Sequence, residues 1–473
     1  MSRTIALTQR ISRNAAWNMI YQKLYETAIY PVYHWLKKDG ANAAIRELDK
    51  HEMLNSEELR RVTLGKLQKL LVHATENVPF YKDHLQRLKL TGSLSDLYES
   101  FLTVSLLSKA TINDNRQSMI STNLDGNGLD DNSTSGSTGE KLIFYTDWRS
   151  GAYRKATVRR SQRWLGVLPG EPEVRLWGSP IDISRAKSLR GFLHSVISRE
   201  KMLSAYLMDE QSLNAYMKFC LRFKPKLLIG YPSVLSVFAA YLESQRVRIP
   251  SLVAISCSAE TLYEHDREYL AKVFGAPVFN RYGCREVGDI ANEVPDADGL
   301  IVNSDRLFVE ILNDKREPCA PGEQGEVVVT DLENFGMPLI RYRIGDLARW
   351  SPETARGGDK YPFPMLESVD GRTLDVIQSP NGNRVGGTYW TILLRNRPGI
   401  KKFQVIQDEP DAVRILYVGE EGAVPDFEYY RREIANQCGP ELDVHFEEAE
   451  NFEQPPGTKF RLVLSKISKS RAP

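Results

Sequence analysis

The stretch "DNSTSGSTGEK" (Asp131–Lys141) is rich in Ser, Thr and Gly. This composition is typical of a flexible linker, but it also suits a loop whose backbone N–H groups and hydroxyls hold phosphate. It does not match the Walker pattern, because Glu140 separates Gly139 from Lys141 and Leu142 stands where that pattern requires Ser or Thr. The residues at its end, "KLIFYTD", predict a strand and not the helix that follows a Walker loop. From this stretch alone, a linker and a phosphate loop between two strands both remain open.

Four features further along the chain favour the phosphate loop. "NRYGCRE" (Asn280–Glu286) follows a predicted strand, at the end where open α/β sheets bind their ligands. "IRYRIGDLA" (Ile340–Ala348) places Asp346 in a glycine-containing turn, where a carboxylate can accept hydrogen bonds from neighbouring hydroxyls. "DGRTLD" (Asp370–Asp375) lies at a predicted domain boundary, and "PPGTKFR" presents Lys459 on a turn of the last segment.

Each feature taken alone also fits an ordinary structural role. Tyr282 suits a core, Glu286 and Asp346 suit surface or helix-capping carboxylates, and Lys459 suits a solvated lysine. Together and in this order, however, the four features resemble the adenylate-forming superfamily, and within it the branch typified by phenylacetate–CoA ligase. "VHATENVPFYKDHL" (Val72–Leu85) is similar to an N-terminal helix of that branch. The resemblance extends over most of the chain, and a looser one includes ligase-like proteins of capsular and other surface-polysaccharide gene clusters.

The resemblance implies an ATP site. In the family, the aromatic residue that matches Tyr282 stacks on adenine, and the aspartate that matches Asp346 binds the ribose. Ala259, Glu260 and Gly283 match residues around the adenine. The loop of the opening stretch wraps the β- and γ-phosphates in the family. The residues implied in that role here are Ser133, Thr134, Ser135, Gly136, Ser137, Thr138 and Gly139.

The resemblance also implies the catalytic residues. Glu286 matches a carboxylate that binds Mg²⁺, Arg372 matches an arginine near the ribose and phosphates, and Lys459 matches a catalytic lysine. The family has a hinge carboxylate two residues after that arginine, whereas Leu374 stands there in this chain and Asp375 follows it. The domain boundary is therefore expected, but its hinge chemistry is not assigned.

Residues near the ends of the predicted strands are candidates for the acid-binding pocket. We expect Trp177, Tyr231 and Ser258 to line it, and the two aromatic side chains suit an aromatic or compact acid. Either aromatic residue also suits a plain core position. The adenylation chemistry implied here needs no nucleophilic side chain, which agrees with the scatter of the histidines and cysteines along the sequence.

The hydrophobic pattern predicts an α/β protein with two main parts. Short apolar runs alternate with helical segments from about residue 174, which predicts a largely parallel sheet flanked by helices. A β-rich subdomain follows residue 303, and the last hundred residues predict a small, mobile α+β domain. We expect an N-terminal helical extension over residues 1–60, a large adenylating domain over 61–371 and a small lid domain over 372–473.

Composition and charge exclude several classes of protein. The 473 residues carry 62 Lys and Arg against 61 Asp and Glu, so no global field favours nucleic acid. The basic run "RKATVRRSQR" (Arg154–Arg163) is interpreted as a solvated helix face. Five cysteines lack metal-site spacing, the N-terminus lacks the apolar core of a signal peptide, and the longest apolar stretch is interrupted by Gly230 and Pro232. These features predict a cytoplasmic protein without a transmembrane segment.

The function implied is ATP-dependent adenylation of a small carboxylic acid, followed by transfer of the acyl group to coenzyme A with release of AMP and pyrophosphate. An amine acceptor in surface-polysaccharide assembly is the alternative, and a non-catalytic nucleotide-binding protein on the same scaffold is a third hypothesis. The sequence leaves the acid, the acceptor and the oligomeric state open.

Overall fold

The structure is a computed structural model. It describes residues 21–86, 88–124, 128–134, 142–177, 195–205, 208–352, 360–372, 376–380, 384–386, 390, 393–394, 399–420, 422–453 and 462–467. For residues 372, 376, 378, 384 and 386 it describes the backbone alone.

Helices form the first part of the described chain. Residues 21–24 are helical and lead into a π-helical turn, Tyr25–Ile29. The side chain of Asn55 accepts from the Glu58 N–H while the Glu58 side chain accepts from the Asn55 N–H, a capping box that starts the longest helix of this part. The helices are α1 (Tyr30–Lys37), α2 (Ala41–His51), α3 (Ser56–Asn77), α4 (Pro79–His84), α5 (Leu94–Phe101) and α6 (Lys109–Asp114).

Two expectations for this part need comment. The segment Val72–Leu85 is not one helix: α3 ends at Asn77, and Pro79 begins α4, because proline lacks the N–H that a continuing helix needs. Helix α3 also runs across the position between residues 60 and 61, where the sequence suggested a domain boundary. That boundary remains a prediction.

A mixed sheet forms the centre of the molecule. Within the described residues it has eleven strands, in the order β10-β11-β12-β13-β9-β8-β7-β6-β5-β3-β4, and a separate hairpin pairs β1 with β2. The strands are β1 (Asp130–Ser133), β2 (Ile143–Thr146), β3 (Glu173–Trp177), β4 (Glu200–Ser204), β5 (Leu227–Gly230), β6 (Ala254–Ser258), β7 (Val278–Cys284), β8 (Gly288–Glu293), β9 (Leu300–Val302), β10 (Leu307–Leu312), β11 (Gln324–Asp331), β12 (Tyr342–Trp350) and β13 (Met365–Arg372).

Helices cover both faces of the parallel half of this sheet. Side chains alternate between the faces, so Leu228 and Ile255 point to one side while Ile229 and Ala254 point to the other. The first face packs against the helices between the strands, and the second lies under the helix that follows β2. These helices are α7 (Trp148–Trp164), α8 (Glu210–Phe223), α9 (Pro232–Ser244) and α10 (Glu264–Phe274).

The α/β class is confirmed, but the expectation of a largely parallel sheet is only half right. Strands β3 to β7 pair in parallel, whereas β8 to β13 continue the same sheet with antiparallel pairing. The change occurs at the tight β7–β8 connection, which returns the chain antiparallel because it is too short for a crossover. The β-rich region after residue 303 therefore extends the central sheet.

The C-terminal elements form their own sheet and helix. The predicted strands and the predicted helix near residues 427–437 are confirmed, and the four-stranded order is β18-β17-β16-β19. The elements are β14 (Val376–Gln378), β15 (Arg384–Gly386), β16 (Ile400–Glu409), β17 (Ala412–Gly419), α11 (Phe427–Cys438), β18 (Asp443–Glu448) and β19 (Val463–Ser465).

The basic run on α7 is not a solvated face. Arg160 is 1% exposed, and its guanidinium donates to both carboxylate oxygens of Asp305 at 2.7 and 2.9 Å. Helix α7 lies against the sheet, so its arginines reach carboxylates inside the molecule. None of the helices in the described ranges combines the length and the hydrophobicity needed to cross a membrane.

Candidate active site

The β7–β8 hairpin carries the residues of the "NRYGCRE" stretch. Tyr282 and Gly283 lie on β7, and Glu286 lies in the tight connection to β8. A Cβ on Gly283 would come within 2.5 Å of the carbonyl oxygen of Gly288, so only glycine allows β8 to approach this closely. The hairpin therefore fixes Tyr282 and Glu286 at the carboxyl end of the parallel strands.

The Glu286 side chain is buried and held by a hydrogen bond. It is 5% exposed, and its Oε1 accepts from the hydroxyl of Tyr342 at 2.9 Å. Burial and the Glu286 charge both raise the pKa of Tyr342 far above its ordinary value, so this hydroxyl keeps its proton and remains a donor. The carboxylate is thereby fixed in position.

Two arginines hold the backbone of the same connection. Arg154 of α7 donates to the carbonyl oxygen of Arg285 at 3.0 Å and to that of Glu286. Arg306 donates to the carbonyl oxygen of Val287 at 2.5 Å. Burial and the neighbouring Arg306 lower the pKa of Arg154 to about 10, which leaves it charged at neutral pH.

The sequence alone did not identify these supporting residues. Arg154 belongs to the run interpreted as solvated, and Tyr342 stands four residues before Asp346 without any distinguishing signal of its own. Arg306 follows three polar residues after the end of β9. Their roles depend on contacts between distant parts of the chain, which local patterns do not reveal.

Asp346 lies in a strand, and the expectation of a turn was wrong. Gly345 has φ +87° within β12, and the pairing with β11 shifts between Glu326 and Val328. The glycine thus makes a bulge in the strand, which the sequence pattern presented as a turn. The hydroxyl of Tyr282 donates to Asp346 Oδ2 at 2.9 Å, so the two residues predicted to contact adenine and ribose lie together.

Arg372 lies across the sheet from Asp346. The backbone register pairs these two residues between β12 and β13. Only the backbone of Arg372 is described, and its role in the site stays a prediction.

The Ser/Thr/Gly stretch connects two antiparallel strands, as a phosphate loop between strands requires. Ser133 pairs with Ile143, the N–H of Thr134 donates to the carbonyl oxygen of Leu142 at 3.0 Å, and the Leu142 N–H donates to Thr134 Oγ1 at 3.1 Å. The remaining predicted loop residues, Ser135, Gly136, Ser137, Thr138 and Gly139, lie outside the described residues.

The three residues expected to bind the acid lie at or directly after the carboxyl ends of neighbouring strands. The rings of Trp177 and Tyr231 have centroids 4.6 Å apart with an interplanar angle of 32°, and Ser258 ends β6 with 7% exposure. Ala259 has φ +66°, and Glu260 Oε2 accepts from the N–H of Ser233 at the start of α9 at 3.1 Å. Glu260 therefore contacts a helix terminus in this structure.

Two predicted features fall outside the described residues. These are Lys459 and the hinge positions Leu374 and Asp375. Among the residues that are described, no group of three or more His, Cys, Asp or Glu side chains is arranged to hold a metal ion. A cation at Glu286 would therefore need most of its ligands from a bound phosphate or from water.

Comparison with proteins of known structure identifies the fold of the chain. No family model matches the chain. A solved 2-hydroxyisobutyryl-CoA ligase, in complex with an acyl-AMP in the postadenylation state, has a TM-score of 0.68 at 17% identity, covering 88% of this chain and 92% of its own. The amide bond synthetase McbA from Marinactinospora thermotolerans has a TM-score of 0.53 at 17% identity, covering 71% and 68%. The chain has the fold of the adenylate-forming ligases.

Two proteins that are similar in sequence indicate where the chain stands among these ligases. The chain is 25% identical over 340 residues to protein CapK of Staphylococcus aureus, covering 71% of this chain and 74% of CapK. It is 26% identical over 345 residues to the phenylacetate-coenzyme A ligase of Aromatoleum evansii, covering 70% and 74%. The resemblance inferred from the motifs is thereby confirmed: the chain is a relative of CapK and of the phenylacetate–CoA ligases.

Proposed function

We propose that this protein is an AMP-forming acid ligase, which adenylates a small carboxylic acid with ATP and transfers the acyl group to coenzyme A. The observation that carries the proposal is the geometry of the β7–β8 hairpin. This hairpin holds Glu286 beside the carboxyl ends of the parallel strands, and its Tyr282 hydroxyl donates to Asp346 Oδ2 at 2.9 Å. Relatives named phenylacetate–CoA ligase, at 23 to 26% identity, support coenzyme A as the acceptor. A reaction that uses ATP and coenzyme A suits the cytoplasm.

The nucleotide lies along the hairpin in this proposal. Tyr282 contacts the adenine, Asp346 accepts from the ribose hydroxyls, and Ser133 to Gly139 donate to the phosphates. The positions of Tyr282 and Asp346 support this arrangement, because both side chains are at most 8% exposed and share a hydrogen bond. Because Ser133 pairs with Ile143, the loop connects the two strands of a hairpin, which suits a loop that wraps phosphates.

Glu286 is the residue that would hold Mg²⁺. The donor set fits the ion, because Mg²⁺ in nucleotide sites takes one or two carboxylates together with phosphate oxygens and water. Bound there, Mg²⁺ would neutralise charge on the phosphates. The protein's own contribution is to fix the Glu286 carboxylate through Tyr342 and the backbone through Arg154.

The reaction has two steps. A carboxylate oxygen of the acid attacks the α-phosphorus of ATP, the bond to the bridging oxygen breaks, and pyrophosphate leaves. Arg372 and Lys459 offset the negative charge that develops on the phosphorus oxygens. In the second step the thiol of coenzyme A attacks the acyl carbon, loses its proton and displaces AMP. Rotation of residues 372–473 between the steps would exchange Lys459 for the acceptor.

Carboxylate-dependent exchange between ATP and labelled pyrophosphate tests the proposal. The assay is run without acceptor over aryl, fatty, hydroxy and amino acids, and stimulation by one acid is the expected result. Coenzyme A or a panel of amines is then added to identify the acceptor. Consumption of the adenylate by amines alone would support transfer to nitrogen instead. Silence over the whole panel with ATP binding intact would support the non-catalytic hypothesis.

Lys459→Ala identifies the catalytic lysine, and Lys466→Ala is its matched control. Lys466 pairs with Asp408 and Glu453 at 2.8 and 2.7 Å, away from the predicted site. We expect exchange to fall at least about hundredfold in the first variant, as for the loss of a charged transition-state contact, and to stay near wild type in the second. Equal rates in the two variants would remove Lys459 from the mechanism.

A further inference from the structure

A small cavity of about 20 Å³, with both polar and apolar side chains in its wall, lies between α7 and the parallel half of the central sheet. Strands β5 to β8 and the last two turns of α7 surround it. The side chains that matter most here are Ser161, Ile229, Ser256, Arg281, Asp289 and Asn292. Cavities that stay empty are lined by apolar groups, whereas a cavity with unpaired polar side chains holds a polar occupant.

Two polar atoms of this cavity have no hydrogen-bond partner within the described part of the protein. They are Oδ2 of Asp289 and Nδ2 of Asn292, and the two residues are 6% and 4% exposed. The other carboxylate oxygen of Asp289 accepts from Nε and Nη2 of Arg281 at 2.9 and 2.5 Å. Buried polar groups are almost always paired, so an unpaired acceptor and an unpaired donor on residues that line one cavity indicate a bound group.

The register of the strands places this cavity under the predicted acid site. Arg175, Ile229 and Ser256 lie side by side on β3, β5 and β6. Because side chains alternate, the next residues on the same face are Trp177, Tyr231 and Ser258, two positions or about 7 Å further along the strands. These are the three residues expected to contact the acid. The acid and the cavity thus share one face of the sheet.

The charges near the cavity are already paired. The guanidinium of Arg281 neutralises Asp289, and Arg267 donates to both oxygens of Glu293 at 2.8 Å each. A second carboxylate or an ammonium group on the ligand would therefore lack a partner of opposite charge. A hydroxyl is neutral and can donate to Asp289 Oδ2 while it accepts from Asn292 Nδ2.

We infer that the cavity, with room for one water-sized group, receives a hydroxyl group at the far end of the acid and that Asp289 and Asn292 hold this hydroxyl. The inference rests on the proposed function and narrows its substrate to hydroxy acids. A hydrocarbon end of the same size would bury against Ile229 but leave both polar atoms unpaired.

Matched pairs of acids test the inference on the wild-type protein. Phenylacetate is compared with its 3- and 4-hydroxy forms, and butanoate with its 3- and 4-hydroxy forms, by pyrophosphate exchange and by the shift in thermal unfolding with ATP present. For the pair of acids that the enzyme accepts, we expect the hydroxy acid to have a kcat/KM about tenfold higher than the unsubstituted acid. The unsubstituted acid would leave Asp289 Oδ2 and Asn292 Nδ2 buried without a hydrogen-bond partner. A preference for the unsubstituted acid in every active pair would overturn the inference and leave the proposed function intact.

Variants locate the preference. Asn292→Leu removes the donor and keeps the volume, and Asp289→Asn weakens the acceptor and keeps the shape. We expect both to reduce the ratio between hydroxy and unsubstituted acid toward one, whereas a general folding defect would lower both rates alike. An unchanged ratio in both variants would mean that the cavity holds only water. If none of the acids stimulated exchange, that result would overturn the proposed function and this inference with it.

Discussion

At the scale of single residues, the position of Glu286 depends on groups from three other elements. The hydroxyl of Tyr342 comes from β12, the guanidinium of Arg154 from α7, and that of Arg306 from the connection after β9. Burial of a carboxylate that is only 5% exposed costs free energy unless the carboxylate accepts hydrogen bonds. These donors thus fix the position of the Glu286 side chain and of its backbone.

Tyr342→Phe tests this support. The change removes one hydrogen bond to a carboxylate, so we expect pyrophosphate exchange to fall about tenfold and the Mg²⁺ concentration for half-maximal rate to rise. Tyr269→Phe is the matched control, because its hydroxyl donates to Glu243 at 3.3 Å on the surface. An unchanged Mg²⁺ dependence in the first variant would show that Glu286 does not need Tyr342.

Glu173 gives a prediction for pH. Burial raises its pKa from 4.5 to about 7, although Arg175 donates to it at 3.1 Å. Because folding raises this pKa, the contribution to stability is complete below about pH 4.5 and is lost as the pH rises through about 7. We expect the thermal midpoint to fall more between pH 5 and 8 in wild type than in Glu173→Gln. Identical slopes in the two proteins would contradict the prediction, and the exposed Glu268→Gln is the control.

At the scale of elements, the β7–β8 hairpin depends on close backbone contact at Gly283. A methyl group there would meet the Gly288 carbonyl oxygen at 2.5 Å and the Asp289 Cα at 3.0 Å. We expect Gly283→Ala to destabilise the protein by about 2 kcal/mol, as overpacking does, and to lower exchange at least tenfold because Glu286 moves with the hairpin.

The control for that variant is Gly151→Ala on α7. A Cβ at Gly151 meets no atom within 4 Å, and alanine favours a helix over glycine by about 1 kcal/mol. The thermal midpoint should rise or stay constant. If both glycine variants behave alike, the close approach at Gly283 is not what holds the hairpin.

The strands and helices around the site were mostly predictable, and their pairing was not. The apolar runs of β3, β5, β6 and β7 and the helices between them appear where the period of the sequence put them. Asp346 was misplaced because Gly345 signals a turn locally, while the strands that pair with β12 lie elsewhere in the chain. The continuation of the sheet through β13 was missed for the same reason.

At the scale of the whole molecule, polar contacts to buried carboxylates connect the N-terminal helices to the central sheet. Lys66 of α3 donates to Glu333 at 2.6 Å, and His51 of α2 contacts Asp305 at 3.1 Å. Asp305 also pairs with Arg160 of α7, so one carboxylate joins three parts of the fold. The sequence predicted none of these contacts, because no local pattern identifies partners 145 to 267 residues apart.

Asp305→Asn should destabilise the whole protein. Burial alone raises the pKa of Asp305, but Arg160 and His51 outweigh burial and hold the pKa below its ordinary value. Its contribution is therefore present above about pH 4 and is lost as the pH falls through the lowered pKa. We expect the variant to lose about 3 kcal/mol at pH 7, since Arg160 stays buried with a weaker partner.

The comparison is Glu57→Gln, which removes an exposed ion pair with Arg61. Such pairs contribute little to stability, so the thermal midpoint at pH 7 should hardly change. An Asp305→Asn protein as stable as this control would show that the N-terminal helices dock by apolar packing alone.

The residues predicted to bind the nucleotide stand in sequence motifs, but the contacts that hold these residues in place were not predictable from sequence. Tyr282, Glu286 and Asp346 stand in motifs, and the structure brings Tyr282 and Asp346 into contact. Asp289 and Asn292 carry no motif, because they become a pair only when β8 folds back on β7. Specificity for the acid therefore lies in residues that are recognisable only in the folded molecule.

The most direct test of the ligase is the fate of oxygen. The acid that gives the fastest exchange is labelled with ¹⁸O in its carboxyl group and incubated with the protein, ATP and coenzyme A. The masses of the products are then measured by mass spectrometry. An acyl-adenylate intermediate transfers one labelled oxygen to AMP, which is the result we predict. Label in inorganic phosphate with ADP as the product, or AMP without label, would contradict adenylation.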